Sequence, residues 1–235
     1  MQYTQNIKIK REMKMLGLIE ENQFLLLTLQ HFGIDFAVGD KSVSQICSEN
    51  GISEDLFLIV ANLYNGYNPK ETLSFSPEEI RQIITFLKNS HDYYRYDKYP
   101  EISSYIRQLQ ENHTGKTFLL LEKFFNEYFN EVMDHFTYED KVAFPYFLEL
   151  IDEDKDNSPS PYSAHEYLDH HTDIEIALGD LKSLLLKHIN VNGDLAVRRK
   201  LLFSLFELEF DLHVHSLIEE NILIPVGYNI EKSIE

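Results

Sequence analysis

His91, His135 and Glu139 recur 80 positions later as His171, His215 and Glu219. In each half 44 residues separate the first His from a His-x-x-x-Glu pair, and Pro145 and Pro225 keep the same offset. Imidazole nitrogen and carboxylate oxygen are metal ligands, so a repeat that keeps two imidazoles and a carboxylate points to a shared metal site. Four imidazoles and two carboxylates exceed the four ligands of a closed zinc site. Hard oxygen and nitrogen donors without thiolate suit iron or manganese better than copper(I). Two ions fit the count, with Glu139 and Glu219 as bridges and two His on each ion, leaving open positions for oxygen, nitric oxide or an oxo group. Ferritin-like bundles use Glu-x-x-His instead, so the His-x-x-x-Glu pattern belongs elsewhere.

Helices must position these groups. Residues four apart lie on one helix face, so each His-x-x-x-Glu pair points at one spot. The 44-residue gap tests the level of the other two His. About 22 residues climb roughly 33 Å of helix, and a similar number returns along an antiparallel neighbour. Thr114-Gly115 falls near the midpoint between His91 and His135, and Asn190 to Gly193 lies between His171 and His215. Asp152 to Pro159 sits about halfway from Glu139 to His171. The spacing predicts four long helices: Pro77 to Asn112 with a disturbance at Pro100, Lys116 to Ile151, Ser160-Pro161 to Ile189, and Asp194 to near Ile224, whose end Pro225 disturbs. Short links make this an all-α up-down-up-down four-helix bundle.

A His with an acid four residues on is weak evidence alone. With 39 acids among 235 residues, roughly one His in six meets one by chance. His31, His135, His165, His171 and His215 all do, so the shared register carries the weight rather than the pattern. His113, at about 30 Å from the proposed level, reads as a helix-terminal cation, as does His188. His165, His170 and His213 read as outward-facing or supporting residues, and Glu175 as a solvated acid. Asp140 and Glu220 lie off the metal axis. Tyr93, Tyr94, Tyr96 and Tyr99 occupy too many faces to line one pocket.

Composition narrows the partners. A net charge of −18 argues against a nucleic-acid ligand and an anionic membrane surface. No apolar run reaches the roughly 20 residues of a membrane span, and Met1 to Lys14 is unlike a signal peptide. Cys47 is the single cysteine, which excludes an intrachain disulfide or thiolate cluster and suits a reducing cytoplasm. A boundary near residues 65–77 separates a small helical module, residues 1–75, from the bundle, residues 76–235. Ser76, Pro77 and Glu79 form a capping box that restarts the helical pattern. Within the module, Leu18, Ile19, Phe24, Leu25 and Leu29 give a first helix face. A turn at Gly39-Asp40 and a short helix near Ser42 to Glu49 precede a second face, from Ser53 to Tyr64.

The segment from His135 through Glu139 and Asp140 to Phe144 and Pro145, and that from His215 through Glu219 to Leu223 and Pro225, resemble the hemerythrin-like family of di-iron four-helix bundles. Within it the chain looks most like the RIC (repair of iron centres) proteins, and residues 31–47 resemble their small N-terminal domain. Carried over, the ligands are His91, His135, Glu139, His171, His215 and Glu219. They would hold two non-haem iron ions, carboxylate-bridged, and oxo-bridged when oxidised. The resemblance implies repair or protection of iron–sulfur clusters under nitrosative or oxidative stress, with nitric oxide or oxygen as the small ligand and iron–sulfur proteins as clients. Rival readings are a sensing module that acts through a protein partner, an enzyme that consumes nitric oxide or peroxide, and a purely structural helical protein. Two departures stand out. Ala37 and Val38 replace the paired cysteines of the RIC domain, so Cys47 alone forms no internal dithiol. Oxygen-carrying hemerythrins place two His at i and i+4 on the third helix, where this chain has Tyr167 and Glu175 flanking His171.

Overall fold

The computed structural model describes residues 7–68, 74–113, 116–152, 162–170, 176–187, 189 and 193–234. The chain is an all-α helical bundle. Among the described residues the only β-type pairing is an isolated bridge between Lys14 and Ser42. No helix among them is long and apolar enough to cross a membrane.

The N-terminal part of the chain holds α1 (Met15–Glu21), α2 (Leu25–His31), α3 (Val43–Asn50) and α4 (Glu54–Tyr64). Its first apolar face is thus two helices rather than one. Asn22 separates them, its extended backbone ending α1 while its side chain accepts the Phe24 N–H at 3.1 Å. Ser42 and Gln45 close a reciprocal capping box on α3, and Gly51 ends that helix at φ 67°, a left-handed conformation suited to a residue without Cβ. Ser53 caps α4.

The predicted box at Ser76 is present at α5 (Pro77–Tyr93): Glu79 Oε2 accepts the Ser76 N–H at 2.8 Å, and Ser76 Oγ accepts the Glu79 N–H at 3.3 Å. Glu79 does more than close the box. Its Oε1 also accepts the Ser53 hydroxyl at 2.6 Å, joining the caps of α4 and α5. Burial disfavours the charged carboxylate, but these hydroxyl and amide donors outweigh it and hold the Glu79 pKa below its ordinary value.

The long helices follow the predicted limits closely at the first two positions and depart from them at the last. After α5 come π1 (Tyr94–Lys98) and α6 (Tyr99–Asn112), then α7 (Lys116–Tyr138), π2 (Glu139–Ala143) and α8 (Phe144–Leu150). Next are α9 (Ala164–His170) and α10 (Ile176–Lys187). Last are α11 (Leu195–Ile218), π3 (Glu219–Leu223) and α12 (Ile224–Ile234). The final helix therefore continues through Pro225 instead of ending there. Each π segment is followed by one residue and then a proline: Pro100, Pro145 and Pro225. A proline in an α-helix lacks an N–H and presses on the carbonyl four residues back. Widening the preceding turn moves the pairing to i−5, as in Tyr99 N–H to Tyr94 O and Ile224 N–H to Glu219 O. The disturbance expected at Pro100 and Pro225 is absorbed as a wide turn, and the same occurs before Pro145, where none was expected.

The chain forms two compact units. The first comprises Met1–Ser90, Phe144–His170 and Val214–Glu235; the second comprises His91–Ala143 and His171–His213. In the first, Met15, Leu29, Leu56, Phe57, Leu87 and Phe144 are fully enclosed apolar residues. In the second, Tyr94, Ile106, Leu121, Phe125, Phe136 and Leu205 fill the interior. The predicted links at Thr114-Gly115 and Asn190 to Asn192, most of Asp152 to Pro159, and the Ser160-Pro161 cap lie outside the described residues.

Candidate metal centre

Within the second unit, α5 presents His91 near its C-terminal end, α7 presents His135 in its last turn, and π2 opens on Glu139. The i to i+4 spacing does what was expected of it: His135 Nε2 lies 3.0 Å from Glu139 Oε1. The other carboxylate oxygen, Oε2, lies 3.1 Å from His91 Nε2. Glu139 therefore faces one imidazole with each oxygen, and both it and His91 are excluded from solvent. The His91 ring stacks on Phe136 with centroids 4.1 Å apart, and this fixes the plane in which Nε2 points.

His91 is oriented from behind as well. Its Nδ1 lies 3.0 Å from Asp140 Oδ1, and Asp140 Oδ2 accepts Arg95 Nη2 at 2.9 Å. An ionised carboxylate only accepts, so Nδ1 carries the hydrogen and Nε2 of a neutral ring carries the lone pair. Burial opposes charge on His91, but its hydrogen bond to Asp140 and the adjacent Glu139 carboxylate, which both favour a protonated ring, outweigh it and raise its pKa. Asp140 shows the converse: burial would raise its pKa, while His91 and Arg95 hold it below the usual carboxylate range.

In the first unit, His215 ends α11 and Glu219 opens π3, with Nε2 3.2 Å from Oε1. The tautomer can be read from the chain. Ser90 Oγ donates its hydrogen to Leu87 O at 2.7 Å, so toward His215 Nδ1, 2.8 Å away, it must accept. Nδ1 of His215 is then the protonated nitrogen, and Nε2 again carries a lone pair toward a carboxylate. Tyr167 completes this pair by donating its hydroxyl to Glu219 Oε1 at 2.5 Å. Tyr167 and Glu219 are both excluded from solvent.

This donor set fits a cation. A lone pair on Nε2 and a carboxylate oxygen about 3 Å away repel each other unless a proton or a metal ion lies between them. Both units have that arrangement, and each imidazole fixed at Nδ1 by an oxygen is the form that ligates through Nε2. The hard N/O character suits a first-row ion of the iron or manganese type.

The remaining expected residues divide as follows. His171 and Glu175 lie outside the described residues, as do the side chains of His170 and His188. His113 stands at the end of α6 with Nε2 2.8 Å from Asp194 Oδ2, a helix-terminal role as read from the sequence. His165, His213 and Glu220 are exposed. His31 is buried edge-on against Phe86 of α5 in the first unit. The tyrosines do spread over several faces: Tyr94 is enclosed and Tyr96 is 76% exposed. Asp140, Arg95, Ser90 and Tyr167 are the supporting residues that the sequence reading did not assign. Arg95 stands one turn after His91, a signal that was available; the Ser90 and Tyr167 contacts depend on tertiary placement.

Residues 82–227 match the family model described as the hemerythrin HHE cation-binding domain. No curated protein matches the chain. The match covers more than half of the 235 residues and takes in both His/Glu pairs and their proline-bounded wide turns, so this chain belongs to the hemerythrin HHE cation-binding family.

Proposed function

We propose that the chain is a non-haem di-iron protein of the RIC type that repairs or protects iron–sulfur clusters under nitrosative or oxidative stress in the cytoplasm. Its ligands are His91, His135, Glu139, His171, His215 and Glu219, with Glu139 and Glu219 as bridges. The observation that carries the reading is Glu139, whose two oxygens each face a different imidazole. A carboxylate so placed has an oxygen for each of two ions, which supports the bridging role. The 80-residue repeat supplies the second set of donors. The residues 1–75 act as a separate domain that meets the client protein, and Cys47, buried and alone, takes no part in thiol chemistry there.

When bound, two ferrous ions would supply open positions for nitric oxide or oxygen, or labile iron for a damaged cluster. The protein's own contribution is orientation and exclusion of water. Phe136 and Asp140 fix His91, Ser90 fixes His215, and Tyr167 holds one oxygen of Glu219. The buried carboxylates keep the site anionic, which favours cations over neutral competitors.

The test is metal analysis of protein purified without oxygen. About two irons per chain are expected, the count of di-iron carboxylate bundles. His135→Ala and His215→Ala should each lower that count and reduce the stabilisation that iron confers. Protein that retains no iron, with variants that behave like the parent, would end the reading.

A further inference from the structure

We infer that Tyr167 is a positioning residue whose hydroxyl, acting through Glu219, biases the iron held by His215 and Glu219 toward the ferrous state. The inference rests on the di-iron reading above. The observations that carry it all lie within the first unit. The Tyr167 hydroxyl donates to Glu219 Oε1 at 2.5 Å, and His215 Nε2 lies 3.2 Å from the same oxygen. Phenol and imidazole therefore meet at one atom. Tyr167, Glu219 and His215 are all buried. The Tyr167 ring is held edge-on by Phe147, with centroids 5.6 Å apart. The helix that carries it, α9, is fastened at its start. The Ser163 N–H donates to Glu166 Oε2 at 3.1 Å, and the Glu166 N–H donates to Ser163 Oγ at 3.2 Å. Glu231 Oε1, on α12, accepts the Ala164 N–H at 2.7 Å.

A carboxylate oxygen accepts at two places, so Oε1 keeps the phenol on one side and takes an ion on the other. A hydrogen bond of this length to a charged oxygen belongs to the strong class. It draws electron density away from the carboxylate, which weakens Glu219 as a donor to iron. A ferric ion depends on anionic donation more than a ferrous ion does, so the weakening costs the ferric state more. Hydrogen bonds to the thiolates and sulfides of iron–sulfur clusters shift potentials by the same lever. The ferrous state is also the one that the proposed chemistry uses, whether iron takes up nitric oxide or is handed on.

The experiment is a potentiometric titration of the iron-loaded protein under nitrogen, followed by the absorbance of the ferric form, with iron content measured on each sample. In Tyr167→Phe at least one of the two one-electron midpoints should fall by about 59 mV, a tenfold shift in the ferric-to-ferrous ratio. Tyr167→3-fluorotyrosine should raise that midpoint, because a ring fluorine makes the phenol a stronger donor in nearly the same volume. A side chain that only fills space would move both variants the same way or neither. Any pattern other than opposite shifts would overturn the inference while leaving two bound irons intact. If Tyr167→Phe does not fold, the fluorinated variant decides alone, and an unchanged or lowered midpoint there overturns the inference. Parent protein without iron would remove both this inference and the di-iron reading.

Discussion

A methyl group at position 227 tests how the apolar interior is coupled to the buried His215/Glu219 pair. Gly227 lies in α12, and a Cβ there would stand 2.6 Å from Phe147 Cε1 and 3.0 Å from the Ala164 Cβ. Ordinary contact needs about 3.4–4 Å, so the Phe147 ring must move by roughly 1 Å. Phe147 is enclosed and packs edge-on against Tyr167 at 5.6 Å, and Tyr167 in turn donates to Glu219. Two effects oppose each other in Gly227→Ala. Helix propensity gains about 1 kcal/mol, while overpacking a dense interior costs about 1–3 kcal/mol. The ring cannot retreat freely, so the cost should win by about 1 kcal/mol, lowering the unfolding midpoint by roughly 2–4 °C. Thermal unfolding of the iron-free protein measures this, and iron content reports whether the displacement reaches Glu219. Phe147→Leu in the same background should recover about 1 kcal/mol relative to the sum of the single changes, since it vacates the clash. A midpoint that rises by the propensity gain, with additive behaviour of the pair, would refute the coupling.

Three further outcomes follow from the same geometry. Tyr167→Phe removes a buried donor from Glu219, so the iron-free protein should lose about 1–3 kcal/mol in denaturant titration; an unchanged midpoint would show that the hydroxyl contributes nothing. The Cys47 thiol is pushed up to about 12, by burial first and then by Glu54, so it should resist alkylation at pH 8 until the protein unfolds; rapid labelling of the native protein would contradict this. Glu79 has a depressed pKa in the folded state, so its contribution is complete above the ordinary carboxylate value and falls away as the pH drops through the lower folded one. Glu79→Gln should therefore flatten stability against pH in that acidic window; a profile identical to the parent's would count against the linked caps.

Much of this could be read from residue types and spacing because the deciding terms are local. His135 with Glu139, and His215 with Glu219, meet because four residues make one helical turn, and nothing distant is needed. The same holds for the Ser76 box and for the outer limits of the first two long helices. What escaped the reading depends on longer-range packing or on an unusual backbone. The first face of the small module was legible as apolar, but Asn22 divides it, through an extended backbone and a side-chain bond to Phe24 that periodicity does not register. Pro100 and Pro225 were expected to disturb their helices; the chain instead widens the turn before each, which hydrophobic spacing cannot distinguish from a kink. Asp140 was set aside because it sits about 100° from Glu139 on the helix. That angle takes it off the metal axis, and it is also what lets it reach Nδ1 of His91.

The wide turns at Glu139–Ala143 and Glu219–Leu223 also set the angular phase of the helices that follow them. Closing either to ordinary i to i−4 pairing with every residue kept would swing each downstream side chain by about 100°. Phe144 and Phe147 would leave the interior, or Ile224 and Val226 would, while His135 and Glu139, or His215 and Glu219, kept their places. The wide turns thus absorb a surplus residue and keep the His/Glu pairs in step with the hydrophobic rows that follow, and a single-residue deletion there should be better tolerated than one in the flanking α-helical turns.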